Sequence, residues 1–251
     1  MSVPAIDIQN LTKRFDDTTA VENLSLTVEQ GETYGFLGPN GAGKSTTISM
    51  LFDYLRPTEG TIELFGNDPQ TDGVAVRERM GHLPDPYSLY DGITAREHLE
   101  FVIDTKRADD DPAELLERVA LTDAIDKKAG EFSQGMQQRL ALAMALVDAP
   151  DLLVLDEPFS GLDPHGVRTV RNIVETERER GAAVFFSSHV LGQVELVCDT
   201  IGILHKGALI TEGTLQDLRD GIDADEEDSI EEIFVEYTDD SVRAVKEEVV
   251  Q

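Results

Sequence analysis

Residues 38–45 constrain the fold of this chain more than any other stretch. Their sequence, GPNGAGKS, fits the phosphate-loop pattern G-x-x-x-x-G-K-[S/T]. An apolar run predicts a buried strand over residues 33–37, and the pattern of residues 45–55 predicts a helix. A strand that enters such a loop and a helix that leaves it form the context in which this loop binds phosphate. The stretch therefore predicts a phosphate site rather than a chance glycine-rich turn.

The residue types in this loop suit an anion. Glycines allow the backbone to curl with its N–H groups pointing inward, and the helix that follows presents its positive dipole end to the same anion. Lys44 is expected to reach the terminal phosphates of a nucleotide, and the Ser45 hydroxyl is expected to hold Mg²⁺. The predicted nucleotide-binding set within the loop is Gly38, Pro39, Asn40, Gly41, Ala42, Gly43, Lys44, Ser45 and Thr46.

The charge of the chain limits its partners. Acidic residues number 50 against 21 basic ones, which gives a formal net charge of -29. A field of this sign repels phosphate backbones, so direct nucleic-acid binding is not expected. Widely spread acidic residues resemble those of proteins from salt-accumulating halophiles, in which salt screens the repulsion between carboxylates.

The composition of the chain argues against a membrane-spanning, secreted or metal-stabilised protein. The longest apolar run near the middle, residues 140–147, is shorter than the roughly 18 residues that suggest a membrane-spanning helix, and the N-terminus has no basic-then-apolar leader. We therefore expect a cytoplasmic protein. Neither a disulfide nor a structural metal is expected from Cys198 and the five scattered histidines.

The order of predicted elements indicates an α/β fold with two additions. Strand-like patterns at 6–11, 21–28 and 61–65 predict an antiparallel β layer beside the strand at 33–37. Apolar runs at 151–155 and 182–186 are separated by an amphipathic helix, which is typical of a parallel sheet covered on both faces.

The segment between these parts, about residues 85–150, is predicted to be helical. A capping box, Thr94 with Glu97, opens one helix that runs toward Thr105. Further helices are predicted at 112–121 and 134–147, the first of which begins with proline.

A second chemical motif spans residues 152–158, LLVLDEP. A buried strand that ends in Asp156 delivers a carboxylate to the sheet edge, where it can hold Mg²⁺ through water. Glu157 can then polarise the attacking water as a general base. Downstream of a phosphate loop, this pairing predicts phosphoryl transfer rather than an ordinary strand end.

A third motif carries a family resemblance. Residues 132–139, FSQGMQQR, resemble the signature of the ABC ATPases, usually L-S-G-G-Q: Ser133 and Gly135 match, whereas Gln134 and Met136 differ. A serine and a glycine at a helix start can form another anion-binding end. In that family, the signature of one subunit faces the phosphate loop of the other in a head-to-tail dimer. A serine-capped helix with a purely structural role is compatible with the same residues.

The resemblance assigns roles to further residues. Phe15 stands where the family places an aromatic that stacks on adenine, and Asp163 ends a match to the D-loop that couples the two sites. His189 matches the switch histidine, a catalytic residue beside the γ-phosphate. Asp85 stands where the family has glutamine or glutamate. It can still ligate Mg²⁺, but its metal geometry and its coupling role stay open.

The resemblance covers roughly residues 5–238. It implies a P-loop NTPase fold, with a RecA-like parallel sheet between helices on both faces, an antiparallel β subdomain and an inserted α-helical subdomain. The nucleotide-binding domain is expected at 1–219, with an acidic linker and an amphipathic C-terminal helix at 220–251. That helix combines a capping box, Ser229 with Glu232, and an apolar face that could pack on its own core or on a partner.

The implied function is that of an ATP-hydrolysing subunit of an ABC transporter, similar to the ATPases of ABC-2-type exporters. Two copies, identical or related, would close around two Mg²⁺-ATP. They would drive export through a separate multi-span permease on the inner face of the cell membrane. A soluble ABC-type ATPase that acts on ribosomes or nucleic acid is the alternative. A different phosphate-loop enzyme, such as a GTPase, would leave the serine-glycine signature unexplained.

Overall fold

The computed structural model describes residues 3–189, 192, 194–195, 197–222 and 228–239. Its strands are β1 Ile6–Phe15, β2 Thr18–Val28, β3 Thr33–Leu37, β4 Glu59–Leu64, β5 Met80–Leu83, β6 Leu152–Asp156, β7 Ala183–Ser188, β8 Thr200–His205 and β9 Ala208–Gly213. Its α-helices are α1 Lys44–Leu51, α2 Gly73–Glu78, α3 Ala95–Lys106, α4 Pro112–Arg118, α5 Gln134–Ala145, α6 Pro164–Glu179, α7 Leu215–Asp220 and α8 Ile230–Thr238.

A six-stranded, mostly parallel sheet forms the centre of the fold. Its strand order is β5-β6-β7-β3-β8-β9, and only β9 runs antiparallel to its neighbour. Every residue of β3, β6 and β7 is buried, as expected for parallel strands covered on both faces. Because β3, β6 and β7 are parallel neighbours, their C-terminal ends meet at one sheet edge.

The two faces of this sheet belong to two different cores. Along β6, Leu153 and Leu155 pack into a core that also contains the buried faces of α5 and α6. The alternate residues Leu152 and Val154 pack into a second core with α1 and the antiparallel strands. This separation follows from the two-residue period of a strand, which sends successive side chains to opposite faces. The sheet is therefore filled from both sides, as the sequence predicts.

The antiparallel sheet has the order β2-β1-β4. In β1, Ile6, Ile8 and Leu11 are buried while Gln9 and Asn10 are exposed. The alternation breaks at residue 10, where Asn10 has φ 51° and the pairing with both neighbours shifts register. This layer and α1 together cover the second face of the large sheet.

The predicted helical segment contains α3, α4 and α5. The capping box at Thr94 is present, with the Thr94 side chain accepting from Glu97 N and the Glu97 carboxylate accepting from Thr94 N. Three helices are shorter than predicted, and the helix predicted at 134–147 ends at Ala145. The helix predicted at 112–121 ends at Arg118, close to Ala120, which has φ 55°. The helix predicted at 45–55 ends at Leu51, close to Asp53, which has φ 55°.

The C-terminal helix α8 docks on its own chain. Its predicted capping box is present, and Ile230 and Ile233 are fully buried. The Tyr237 hydroxyl donates to Leu218 O at 3.0 Å, which joins α8 to α7. The predicted domain boundary at 219/220 falls inside α7 and stays a prediction. The linker predicted at 220–228 lies largely outside the described residues, as does the tail after residue 239.

Candidate nucleotide site

The phosphate loop joins β3 to α1 in a conformation that requires glycine. Gly41 has φ 82° and Gly43 has φ 112°, a region that other residues rarely adopt. A Cβ on Gly43 would lie 2.5 Å from Ala20 O. Gly43 also occupies the N-cap position of α1, where no side chain caps the helix. The first N–H groups of α1 are therefore without a side-chain acceptor and can serve an anion.

Lys44 supplies a buried positive charge beside this loop. Its residue is 6% exposed, and Nζ donates to Gly38 O at 2.7 Å. The same Nζ lies 3.7 Å from Glu157 Oε1. The cation therefore lies between the start of the loop and the acidic end of β6. Lys44 therefore brings a positive charge next to the loop in a chain whose overall charge is strongly negative, and that charge is paired with the Glu157 carboxylate.

The predicted metal ligands come together at the end of β6. Asp156 is buried, and its Oδ1 accepts a hydrogen bond from the Ser187 hydroxyl of neighbouring β7. Burial raises the pKa of the Asp156 carboxyl, and the charges of Glu157 and Asp85 raise it further, whereas hydrogen bonds with Ser187 and Ser45 lower it. Ser45, Asp85 and Asp156 are therefore neighbours. Their hydroxyl and carboxylate oxygens are the ligand types that Mg²⁺ prefers, so the residues present fit this ion.

Glu157 is held in an unusual backbone conformation. Its φ is 51°, in the left-handed region, and the residue is 8% exposed. Its N–H group donates to Ser187 O at 3.2 Å and to Ser187 Oγ at 3.3 Å. On the carboxylate, Oε2 lies 2.8 Å from His189 Nδ1, while Oε1 faces Lys44. The carboxylate is therefore bracketed by a cation and an imidazole.

These side chains border a cavity of about 330 Å³. Apart from Ala20, all of its lining residues are predicted site residues: Pro39, Asn40, Gly41, Gly43, Lys44, Ser45, Thr46, Asp85, Glu157 and His189. The remaining members of the loop, Gly38 and Ala42, lie directly beside it, since Gly38 O accepts from Lys44 and Ala42 N donates to Pro39 O at 3.1 Å.

Asp156 borders a smaller neighbouring cavity together with Asp85 and Glu157. Four further predicted residues line neither cavity. Ser133 caps α5, and its hydroxyl accepts from Met136 N at 3.3 Å. Asp163 caps α6, and its carboxylate accepts from Gly166 N at 2.8 Å. Gly135 lies in the first turn of α5, and Phe15, 45% exposed, ends β1 with Lys13 Nζ 5.0 Å from its ring centroid. Their predicted roles involve the adenine or a second subunit, so they stay predictions.

Sequence reasoning missed two residues that hold the site. Ser187 is fully buried and contacts both Asp156 and the Glu157 backbone. Its position at the end of an apolar strand parallel to β6 was a usable signal. Gln138, 4% exposed, donates from Nε2 to Glu157 O and Pro158 O. A glutamine on the apolar side of a helix was the available sign in its case.

A glycine-rich loop between β3 and α1, facing carboxylates at the end of a parallel β6, defines a P-loop NTPase. The family described as "ABC transporter" matches residues 21–160, a range that runs from β2 through the phosphate loop to the turn after β6. The chain belongs to this family of ATP-hydrolysing subunits.

Curated relatives and a solved structure agree with this assignment. The chain is 41% identical over 213 residues to the bacitracin transport ATP-binding protein BcrA of Bacillus licheniformis, a match that covers 82% of this chain and 69% of the relative. It is 40% identical over 218 residues to the Nod factor export ATP-binding protein I of Burkholderia orbicola, covering 85% and 72%. A solved structure titled "Structure of ATP binding subunit of ABC transporter" matches with a TM-score of 0.86 and 28% identity, covering 94% of this chain and all of the other.

These comparisons confirm the predicted fold class and the predicted class of enzyme. The chain is an ATP-binding ABC transporter subunit with ATPase activity. Among the described residues, no helix is both long enough and apolar enough to cross a membrane. The expectation of a salt-accumulating source stays a prediction.

Proposed function

We propose that this subunit powers export of a solute through a separate ABC-2-type permease, by dimerising around two Mg²⁺-ATP at the inner face of the cell membrane. The observation that carries the ATPase site is the convergence of Lys44, Glu157 and His189 on the cavity formed by the phosphate loop. The direction of transport is supported by the name of one relative, the Nod factor export ATP-binding protein I.

Within one subunit, the phosphate loop would bind the nucleotide. The N–H groups at the start of α1 would donate to the phosphates, and Lys44 would exchange its contact with Gly38 O for a phosphate oxygen. Ser45, Asp156 and Asp85 would hold Mg²⁺, which neutralises phosphate charge when bound. A shortened and charged Asp85, in place of the family's usual glutamine, is compatible with that oxygen-ligand set.

The chemical step requires a base that can accept a proton from water. Glu157 is placed for this role, because its carboxylate borders the cavity and its backbone is fixed at N–H by Ser187. His189 contacts the Glu157 carboxylate by its ring and by its backbone N–H. It would orient this carboxylate and place a donor near the γ-phosphate. Lys44 and the loop N–H groups would stabilise the charge that develops on the phosphoryl oxygens.

Ser133, Gly135 and Asp163 suit a contact with a second subunit. Ser133 and Asp163 both cap helices, and neither reaches the cavity of its own chain. In a head-to-tail dimer, the N-terminus of α5 would approach the γ-phosphate of the opposite nucleotide, with Asp163 coupling the two sites. Phe15, exposed at the end of β1, would stack on adenine. The partner would be an identical chain or a related one.

Purification of the tagged chain from gently solubilised membranes in high salt tests the proposal. We expect one stoichiometric multi-span protein to accompany it, and ATP hydrolysis by the complex to respond to that protein. Recovery with ribosomal proteins or nucleic acid would contradict the exporter proposal and favour the soluble alternative. Recovery without any membrane protein would also contradict it.

A further inference from the structure

Gln138 contacts the backbone of Glu157, and the reaction proposed above gives this contact no role. The side chain lies on α5 and is 4% exposed. Its Nε2 donates to two successive backbone carbonyls, Pro158 O at 2.9 Å and Glu157 O at 3.2 Å. A buried amide of this kind is placed by the protein rather than by solvent, because an unpaired buried amide is costly.

One of the two residues whose carbonyls Gln138 contacts, Glu157, has an unfavourable backbone conformation. Glu157 is a non-glycine residue with φ 51°, and such a conformation persists only where surrounding contacts over-determine it. Its N–H side is fixed by Ser187 of β7, and its C=O side is fixed by Gln138 of α5. The two contacts hold opposite ends of the same residue. Removal of either contact leaves the direction of the Glu157 side chain less defined.

Gln138 also shares a small cavity with the carboxylates of the site. A second cavity, of about 20 Å³, is bordered by Gln138 together with Asp85, Asp156 and Glu157. That volume is room for about one water molecule. The amide therefore borders the acidic cluster in a cavity that no residue of the phosphate loop lines.

The position of Gln138 on α5 connects the Glu157 backbone to the helix that Ser133 caps. This helix begins at the Ser133 cap, and Gln138 follows within about one and a half helical turns. The Ser133 cap and Gln138 therefore belong to one continuous helix. Glu157 is therefore tied, through one side chain, to the helix whose N-terminus carries Ser133 and Gly135.

We propose that Gln138 is a positioning residue for ATP hydrolysis, which holds the Glu157 carboxylate in its reactive direction by binding the Glu157 and Pro158 carbonyls from α5. This inference rests on the proposed role of Glu157 as the base. It assigns no contact between Gln138 and the nucleotide. Loss of the amide should therefore lower kcat and leave the KM for ATP nearly unchanged.

Gln138→Met tests this, since methionine has a similar length and no donor. Gln137→Met is the matched control: Gln137 is the preceding residue of α5, and its Nε2 also donates to a backbone carbonyl, Ala129 O at 3.1 Å, away from Glu157. Small misplacements of a catalytic group cost up to about 100-fold, so we expect Gln138→Met to lower kcat by about 10- to 100-fold, with KM within twofold. Gln137→Met should keep kcat within twofold.

The pH dependence of kcat in Gln138→Glu is a second measurement, which a general destabilisation of the fold would not change in the same way. A buried carboxyl that faces two carbonyls can donate only when it is protonated, and burial raises its pKa. Since only the protonated acid can donate, the kcat of Gln138→Glu, divided by that of the unmodified protein, should be at least as high at pH 6 as at pH 8. A ratio that falls toward pH 6 would contradict the proposal.

A double variant separates this inference from the role of Glu157 itself. If Gln138 acts through Glu157, then Gln138→Met should cause no further loss in a Glu157→Gln background, measured by single-turnover hydrolysis. Wild-type turnover in Glu157→Gln alone would remove Glu157 from the role of base. A near-inactive Glu157→Gln with a fully active Gln138→Met would instead overturn only the positioning role.

Discussion

The imidazole Nδ1 of His189 lies 2.8 Å from Oε2 of Glu157, and the His189 backbone N–H donates to the same oxygen at 3.2 Å. Two contacts from one residue fix that oxygen, while the other carboxylate oxygen faces Lys44 at 3.7 Å. The histidine side chain is 46% exposed, so it forms the solvent-facing edge of an otherwise buried cluster. The arrangement places a carboxylate, a cation and an imidazole at one end of the phosphate loop.

The first prediction concerns Glu157→Gln. The amide keeps the size of the carboxylate but cannot accept a proton from water, and a positioned base contributes about 10²- to 10⁴-fold to a rate. We expect phosphate release to fall at least 100-fold while ATP binding, measured with a fluorescent analogue, stays within threefold. Glu179→Gln is the control, because Glu179 is an exposed residue at the end of α6. Unchanged phosphate release in Glu157→Gln would refute the assignment of the base.

The second prediction concerns Ser187→Ala and pH. The Ser187 hydrogen bond lowers the pKa of the Asp156 carboxyl, against the burial that raises it. Its loss should raise that pKa further, because the hydrogen bond favours the ionised carboxylate. Asp156 must be ionised to hold a cation, so the acid limb of the pH–rate profile should shift upward and activity at pH 6 should suffer more than activity at pH 8.

Ser187→Thr is the matched control for this variant, because threonine keeps the hydroxyl. Its pH–rate profile should resemble that of the unmodified protein. An equal loss at all pH values in Ser187→Ala would show that the hydroxyl supports structure rather than the ionisation of Asp156.

The parts of the fold that follow from local pattern were predictable. Residues 152–156 form a continuous apolar run that ends in Asp156, and such a run between helical segments indicates a parallel strand. The phosphate loop then identifies β3 and α1, and the capping boxes at Thr94 and Ser229 fix two helix starts. These features depend on residues that are close together in the sequence, so the sequence alone is enough to predict them.

Features set by distant neighbours were not predictable in the same way. The left-handed φ of Glu157 depends on Ser187 and Gln138, which lie in other elements. Helix ends were also misplaced: α4 stops at Arg118, whereas helical propensity alone continues the helix to Leu121. Sequence reasoning could propose Ser133 and Asp163 for a shared site only by resemblance. Their observed positions as helix caps leave that role to experiment.

The third prediction concerns an ion-pair network outside the site. Glu177 of α6 is 2% exposed and contacts both Arg118, at the end of α4, and Arg180. Removal of a buried partner is costly, but both arginine side chains are about a third exposed and can recover water. Glu177→Ala should therefore lower the free energy of unfolding in urea by about 1–3 kcal/mol. Glu179→Ala, on the exposed side of the same helix, should change it by less than about 0.5 kcal/mol.

The last prediction concerns salt. A net charge of -29 places many carboxylates near one another, and the screening length falls from about 10 Å at 0.1 M salt to about 3 Å at 1 M. The Tm should therefore rise by several degrees between 0.1 M and 2 M KCl.

Removing like charges should reduce this dependence of Tm on salt. On α3 and α4, the exposed Glu100, Asp104 and Glu114 can be replaced together by their amides, and Glu100 and Asp104 stand one turn apart as a repelling pair. The triple variant should gain Tm at 0.1 M KCl and converge with the unmodified protein at 2 M. A rise in Tm that is equal in both proteins would assign the effect to water structure and ion exclusion rather than to carboxylate repulsion.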